Sequence, residues 1–202
     1  MPTPTRARAR PMAPEERREH LVVTTLRLLR EHGREVTTRQ IAEAAGVAEG
    51  TIFRVVESKD ELVDLAVARA FEPGEIFDRI AEIDPAQPLD ERLRRLVAVL
   101  QQRWRATFDL MRRVGLVKPP AHDHPHADEH RARLVELMVG VVGEDAARLT
   151  VPAEEFVHRL RLLTFAGTHP HISDGHLLAP EQVVDTLLHG LLEATSSSRR
   201  NR

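Results

Sequence analysis

The chain has 202 residues, of which 42% are hydrophobic and only 3% aromatic, and it contains no cysteine. This length allows one large domain or a small domain followed by a larger one. Without cysteine there are no disulfide bonds, thiolate zinc sites or cysteine nucleophiles, and the composition suits a reducing cytoplasm, where we expect the protein to reside. The formal net charge of −2 is too low for a protein that coats nucleic acid nonspecifically, so any contact with DNA has to be local.

The first 14 residues contain four prolines and alternate alanine with arginine, which predicts a disordered, arginine-rich arm at residues 1–14. No apolar segment follows these arginines, so we do not interpret them as a signal peptide. No apolar run in the chain approaches the ~18 residues that a membrane span needs, and we expect no membrane partner.

Two short helical patterns follow a longer one. Residues 15–32 form an amphipathic helix, and Gly33 is expected to cap its C-terminus. Thr37 and Gln40 form a T-x-x-Q capping box that starts a second helix, which Gly46 stops after about two turns. A third helix is predicted from Glu49 to Val56, with its apolar side turned back onto the other two.

The rest of the chain is also predicted to be helical. One helix ends before Pro73 and Gly74, a short one follows at 75–83, and a long one starts at Leu89 with an apolar stripe to Met111. Further helices are expected at roughly 127–147, 152–167 and 180–195, before a polar tail at 196–202. No alternating strand pattern is found, so the predicted fold is all-α with about nine helices.

Two short helices joined by a tight glycine turn are typical of a helix-turn-helix, whose second helix fits the major groove of DNA. Any tight helical corner can use the same pattern, so the periodicity alone leaves a purely structural role open. The exposed positions of the third helix are predicted to be Glu49, Gly50, Thr51, Phe53, Arg54 and Val55.

The residues themselves are more specific than the periodicity. After the helix that ends at Gly33, the segment TTRQIAEAAGVAEGTIFRVVESKDEL closely resembles the DNA-binding segment of the TetR family of transcriptional regulators. The resemblance covers about residues 17–65. It implies a DNA-binding domain at 15–65, followed at 66–195 by a helical domain for effector binding and dimerisation.

The resemblance also implies a function. Such a protein is a homodimer that binds a pseudo-palindromic operator in double-stranded DNA, typically as a repressor released by a small-molecule effector. It is not an enzyme and needs no cofactor. By the same resemblance Thr38 and Arg39 lie where the family contacts phosphate and a base edge, Thr51, Phe53 and Val55 lie on the recognition helix, and Lys59 lies at a common phosphate contact.

Three residues depart from the family pattern. Ala48 replaces a polar residue near the start of the recognition helix, so that start is expected to be looser by up to ~1 kcal/mol. Phe53 replaces a common tyrosine and lacks its hydroxyl. Val55 replaces a common histidine or other polar side chain, and valine can only pack on a thymine methyl group. We therefore expect an operator unlike that of members that match better.

The large side chains of the second domain have two interpretations, an apolar effector pocket or ordinary core packing. They are Trp104, Phe108, Met111, Met138 and Phe165. The leucine-rich faces of the last two helices are either buried within one protomer or, as the resemblance implies, form a dimer interface. The interface candidates are Phe156, Leu160, Leu163, Val184, Leu187, Leu188 and Leu191.

Two histidine-rich segments offer an alternative function, a metal-responsive or metal-binding protein on the same scaffold. Against a metal site, most of these histidines lie in proline-bearing loops, and no catalytic metal spacing occurs. No nucleophile elbow surrounds Ser173, so an enzyme is not expected. The histidines are His122, His124, His126, His130, His169, His171 and His176.

Overall fold

The computed structural model describes residues 13–118 and 127–191, and over these ranges it contains helices and no strand. This confirms the predicted all-α fold. None of the helices in these ranges has the length and apolar character needed to cross a membrane. The α-helices are α1 Pro14–His32, α2 Thr38–Ala45, α3 Glu49–Ile52, α4 Lys59–Phe71, α5 Ile76–Ala81, α6 Leu89–Arg113, α7 Ala127–Val142, α8 Ala153–Thr168 and α9 Pro180–His189.

Several helix ends differ from the predicted ones. The third helix ends at Ile52 instead of Val56, although both residues are buried as expected. The helix predicted at 127–147 ends at Val142, because Gly143 takes a positive φ of 58° and a 3-10 segment, Gly143–Arg148, follows. Of the arm predicted at 1–14, residues 1–12 lie outside the described residues, and α1 already begins at Pro14. The loop at 119–126 and residues 192–202, with the tail predicted at 196–202, lie outside them as well. The last helix, predicted at 180–195, ends at His189.

The chain divides into two compact units. The first comprises residues 13–72 together with 109–118, and the second comprises 73–108 together with 127–191. The boundary that we predicted at residue 65 falls inside α4, whose Leu62, Ala66 and Ala70 are all buried in the core of the first unit. The whole of α4 therefore belongs with the helix-turn-helix.

The first unit is built on α1, which packs against α4 and α2. Leu21 and Leu29 of α1 are fully buried, and the short helices contribute Ile41 and Ile52 to the same core. Helices below ~12 residues are marginal in water, so α2 and α3 depend on this packing. The core of the first unit therefore holds the two short helices in place.

Gly33 allows a close backbone approach inside the first unit. Its φ of 63° and ψ of −153° place it in a region open essentially only to glycine. A β-carbon on Gly33 would lie 2.6 Å from the carbonyl oxygen of Arg113. Next to it, Arg34 Nε donates a hydrogen bond of 3.0 Å to the carbonyl of Val114. These contacts attach the segment 109–118 to the end of α1.

The second unit has a buried charge in its core. Arg92 of α6 is almost fully buried, donates to the carbonyl of Val141 at 2.6 Å and forms an ion pair with Asp145. Arg148 also donates a hydrogen bond to Asp145, and this bond, with the charges of Arg148 and Arg92, lowers the pKa of the Asp145 carboxyl. Arg92 thereby joins α6 to the end of α7, where the free carbonyls need a donor.

Replacing Gly33 by alanine should lower the free energy of unfolding of the first unit by about 3 kcal/mol or more, because the strained backbone and the clash with Arg113 add. Gly46→Ala is the matched control, since Gly46 has a similar φ of 67° but no atom within 4 Å of the added carbon. It should cost about 1–2 kcal/mol. Urea unfolding followed by circular dichroism measures both, and equal losses would show that the Arg113 carbonyl moves aside freely.

Candidate nucleic-acid interface

The start of α2 is held by the predicted capping box. The Gln40 backbone N–H donates to the Thr37 hydroxyl at 3.2 Å, and the Thr37 N–H donates to Gln40 Oε1 at 2.8 Å. Two backbone N–H groups that have no acceptor within the helix thereby receive a hydrogen-bond partner. The first turn of α2, which carries Thr38 and Arg39, is thus fixed in orientation.

The turn between α2 and α3 is made by Gly46 in the left-handed conformation. Its N–H and that of Val47 both donate to the carbonyl of Ala42, the second at 3.0 Å. His20 of α1 forms a further hydrogen bond of 3.1 Å from its Nε2 to the carbonyl of Ala45. This role of His20 was not predicted, because its partner is 25 positions away in the chain.

The recognition helix α3 is a single turn of four residues. Its N-cap, Ala48, has no side-chain hydrogen bond, as expected from that residue type. Ile52 is fully buried and anchors the turn in the core of the first unit. We had predicted that Phe53, Arg54 and Val55 lie on this helix. They lie instead in the turn after it, because α3 ends at Ile52.

Most of the predicted DNA-facing residues are accessible. Arg39, Glu49, Gly50 and Arg54 are exposed, and Phe53 is 52% exposed. The guanidinium groups of Arg39 and Arg54 form no ion pair or hydrogen bond with another described residue. The surface therefore offers two cations that are available to phosphates or base edges.

The remaining predicted residues are partly withdrawn from the surface. Thr38 and Thr51 are half-buried, and Val55 is half-buried with its side chain packed against the core of the first unit. Val55 is thus less accessible than the sequence interpretation assumed, because the turn after Ile52 directs it inward. The Thr38 hydroxyl donates a hydrogen bond to Glu49 Oε1, which joins the first turn of α2 to the first turn of α3.

Lys59 has a structural role that was not predicted. Its Nζ donates to the carbonyls of Val36 at 3.1 Å and Arg34 at 3.4 Å, so it connects the start of α4 to the segment before α2. An ammonium group has three donors, and one remains for a phosphate. Ser58, which was also not predicted, is the N-cap of α4, and its hydroxyl accepts from the Glu61 N–H at 3.1 Å. The pattern S-x-x-E signals such a cap.

The pocket candidates separate into three groups. Trp104, Phe108 and Phe165 form an aromatic cluster, with Phe165 edge-on to each of the others at centroid distances of 5.4 Å. Met138 is buried in the core of the second unit, whereas Met111 belongs to the first unit. Two clefts of about 440 and 570 Å³ in the second unit are lined by other residues. The three aromatic side chains are therefore in contact with one another, and neither Met138 nor Met111 belongs to their cluster.

The interface candidates also separate by burial. Phe156, Leu160 and Val184 are buried in the core of the second unit, so they cannot form the surface of a protomer as we predicted. Three others are partly buried against that core, and these are Leu163, Leu187 and Leu188. Leu191 is 86% exposed. On α8 the outward apolar residues are instead Leu162, which is 54% exposed, and Phe165.

The metal candidates do not converge in the described part of the chain. His122, His124 and His126 lie outside it. His130 has its ring 6.1 Å from that of Phe77, and His169 packs on Phe108 with 4.5 Å between ring centroids. His171 and His176 are exposed. Residues 13–118 and 127–191 contain no group of three or more potential metal ligands arranged to hold an ion.

Comparison with known proteins agrees with this geometry. Residues 21–66 match the family described as bacterial regulatory proteins of the tetR family. No curated protein matches the chain. The helix-turn-helix formed by α2 and α3 is thus a DNA-binding domain of the TetR family.

Solved structures extend the likeness to the fold of most of the chain. The fatty acid degradation regulator FadR from Bacillus halodurans is 18% identical, with a TM-score of 0.57 over 87% of this chain and 96% of that chain. A tetR-family transcriptional regulator from Streptomyces coelicolor is 22% identical, with a TM-score of 0.54 over 86% of this chain and 78% of that chain. The chain has the fold of a TetR-family transcriptional regulator.

Replacing Lys59 by alanine should have two effects. The free energy of unfolding should fall by about 1 kcal/mol, because two carbonyls lose their donor. The slope of log affinity for DNA against log salt should decrease by about one, because one phosphate contact is lost. Urea unfolding and DNA titrations at several salt concentrations measure these effects, with the charge-conserving Lys59→Arg as control. An unchanged slope would limit Lys59 to its structural role.

Proposed function

We propose that this protein is a homodimeric transcriptional repressor that binds a pseudo-palindromic operator in double-stranded DNA and leaves it when a small-molecule effector binds. The observation that carries the proposal is the helix-turn-helix of α2 and α3. Its buried side contributes Ile41 and Ile52 to the core, and its outer side exposes Arg39 and Arg54. The proposal assigns no chemical reaction to the chain.

In this proposal α3 enters the major groove and α2 crosses the backbone. Arg39 lies on the rigid first turn of α2, and an arginine so placed can contact guanine O6 and N7 with two parallel hydrogen bonds. Arg54 lies in the turn after α3 and is suited to a phosphate. Together they supply locally the positive charge that the chain as a whole lacks.

A twofold dimer would place two such surfaces one helical turn of DNA apart, about 34–36 Å, or a multiple of it. Each half-site contact alone is weak, and two contacts held at a fixed spacing bind far more tightly. An effector releases the protein if it prefers a dimer in which this spacing is wrong. The operator is then pseudo-palindromic, because a twofold dimer presents identical surfaces to both half-sites.

The aromatic cluster of the second unit supports an apolar effector. Phe165 is exposed and contacts the rings of Trp104 and Phe108 only through edge-to-face packing. Such a pair contributes about 0.5–1.5 kcal/mol beyond its buried area, which an aromatic or apolar ligand could replace. We therefore place the effector against Trp104 and Phe108, with Phe165 turned aside.

The dimer interface is proposed on α8 and after α9. Leu162 lies on the outer face of α8, Phe165 three positions later is partly exposed at the edge of the aromatic cluster, and Leu191 follows α9. Apolar side chains exposed together on one helix face are typical of surfaces that a partner covers. The half-buried Leu187 and Leu188 would lie at the margin of this interface.

Replacing Arg39 by alanine should weaken binding to the operator by about 1–3 kcal/mol and relax the preference for one base pair in each half-site. The operator is obtained by selection from random duplexes, and affinities for operator and random DNA are then compared. Arg133→Ala is the control, since it removes an exposed arginine of the second unit. Equal losses on both DNAs would reassign Arg39 to a phosphate, and no enrichment by the wild type would refute sequence-specific binding.

Leu162→Glu should dissociate the dimer at micromolar concentration, because twofold symmetry places two unpaired carboxylates in one buried patch. The variant should keep its helix content and lose operator binding. Sedimentation, circular dichroism and DNA titration on the same samples measure this. Val117→Glu is the control, since Val117 is 99% exposed in the first unit. A dimeric Leu162→Glu variant would place the interface elsewhere.

A further inference from the structure

Glu49 is an unexpected residue on a surface that faces DNA. It is the first residue of α3 and is exposed there, next to Gly50. A carboxylate is repelled by phosphates, and a hydrogen-bond donor on a base edge can offset that repulsion. In the major groove the exocyclic amino groups of cytosine and adenine are the donors available to it.

Cytosine suits a carboxylate better than adenine does. The adenine N6 amino group lies beside N7, an acceptor, which would repel the second carboxylate oxygen. The cytosine N4 amino group has no acceptor next to it on the edge of its own base. Among the four bases, cytosine is therefore the one that a glutamate at this position would favour.

The carboxylate of Glu49 is also held in place before DNA arrives. The Thr38 hydroxyl donates to Glu49 Oε1, and Thr38 itself is in the first turn of α2, which the capping box of Thr37 and Gln40 orients. One oxygen of Glu49 is thus occupied, and Oε2 remains to accept from a base. A side chain already fixed in this way loses less conformational freedom on binding.

The neighbouring residue leaves room for a base pair. A β-carbon built on Gly50 has no atom within 4 Å, so this side of α3 is open space. A larger side chain at this position would stand between the start of α3 and the floor of the groove. The missing side chain lets a base edge approach Glu49.

We propose that Glu49 reads a cytosine in each half-site by accepting a hydrogen bond from its N4 amino group, and that Thr38 is the positioning residue for this contact. This inference rests on the proposed function and adds to it one defined base pair of the operator. Thr38 thereby acts through Glu49, in addition to any contact of its own with the backbone.

The test is selection of binding sites from duplexes with a randomised central segment, carried out with the full-length wild type and with Glu49→Gln. The wild type should enrich a C·G pair at one position of each half-site, with a discrimination of about 5- to 150-fold against the other bases. Glu49→Gln should change that preference to adenine, because an amide can contact adenine N6 and N7 together. Glu43→Gln is the control, as it removes an exposed charge from α2 and should leave the preference unchanged.

Thr38 is tested by loss and rescue. Thr38→Val should reduce the discrimination at the same position severalfold without shifting it, and Thr38→Ser, which keeps the hydroxyl, should restore it. A role in folding alone would change the unfolding midpoint and leave the base preference unaltered. If Thr38→Val retains full discrimination, Thr38 is not the positioning residue.

Other outcomes separate this inference from the proposed function. If wild type and Glu49→Gln enrich the same operator, Glu49 does not read a base and the inference fails while the repressor proposal stands. If Glu49→Gln binds all duplexes more tightly with an unchanged preference, Glu49 only opposes phosphate contact, and the inference also fails. If the wild type enriches no sequence at all, the proposed function fails.

Discussion

The surface offered to DNA depends on the burial of one side chain, Ile52. The helix that carries it has four residues, far below the length that is stable in water, so its hydrogen bonds cannot maintain it alone. Ile52 is fully buried in a core formed mainly by α1 and α4, and it thereby fixes the direction in which Glu49 and Arg54 project. The recognition helix and the turn after it therefore depend on tertiary packing for their structure, although their residues are consecutive in the chain.

Four cations of this protein serve two different purposes. Lys59 and Arg92 each donate to two backbone carbonyls, so both act within their own units to join neighbouring elements. The guanidinium groups of Arg39 and Arg54 have no partner among the described residues, and both residues are exposed. With a net charge near zero, affinity for DNA has to come from a few placed contacts, and an acid such as Glu49 can then contribute to selectivity.

The second unit illustrates a limit of helical patterns. In α8 apolar residues occupy nearly every side of the helix, from Phe156 and Leu160 to Leu162 and Phe165. Periodicity cannot decide which of them turn inward when the helix is apolar all round. The structure places Phe156 and Leu160 in the core and leaves Leu162 outside. The proposed interface therefore lies about half a turn from the predicted one.

Local signals in the sequence determined the helical class, the capping box at Thr37 and the turn at Gly46, because each depends on residues within one or two turns of the chain. They also determined the helix-turn-helix and its family. Only the tertiary structure decided that α3 ends at Ile52, that Lys59 binds carbonyls and that Thr38 holds Glu49. Those outcomes depend on contacts between positions from eleven to about 25 apart, whose geometry no local pattern encodes.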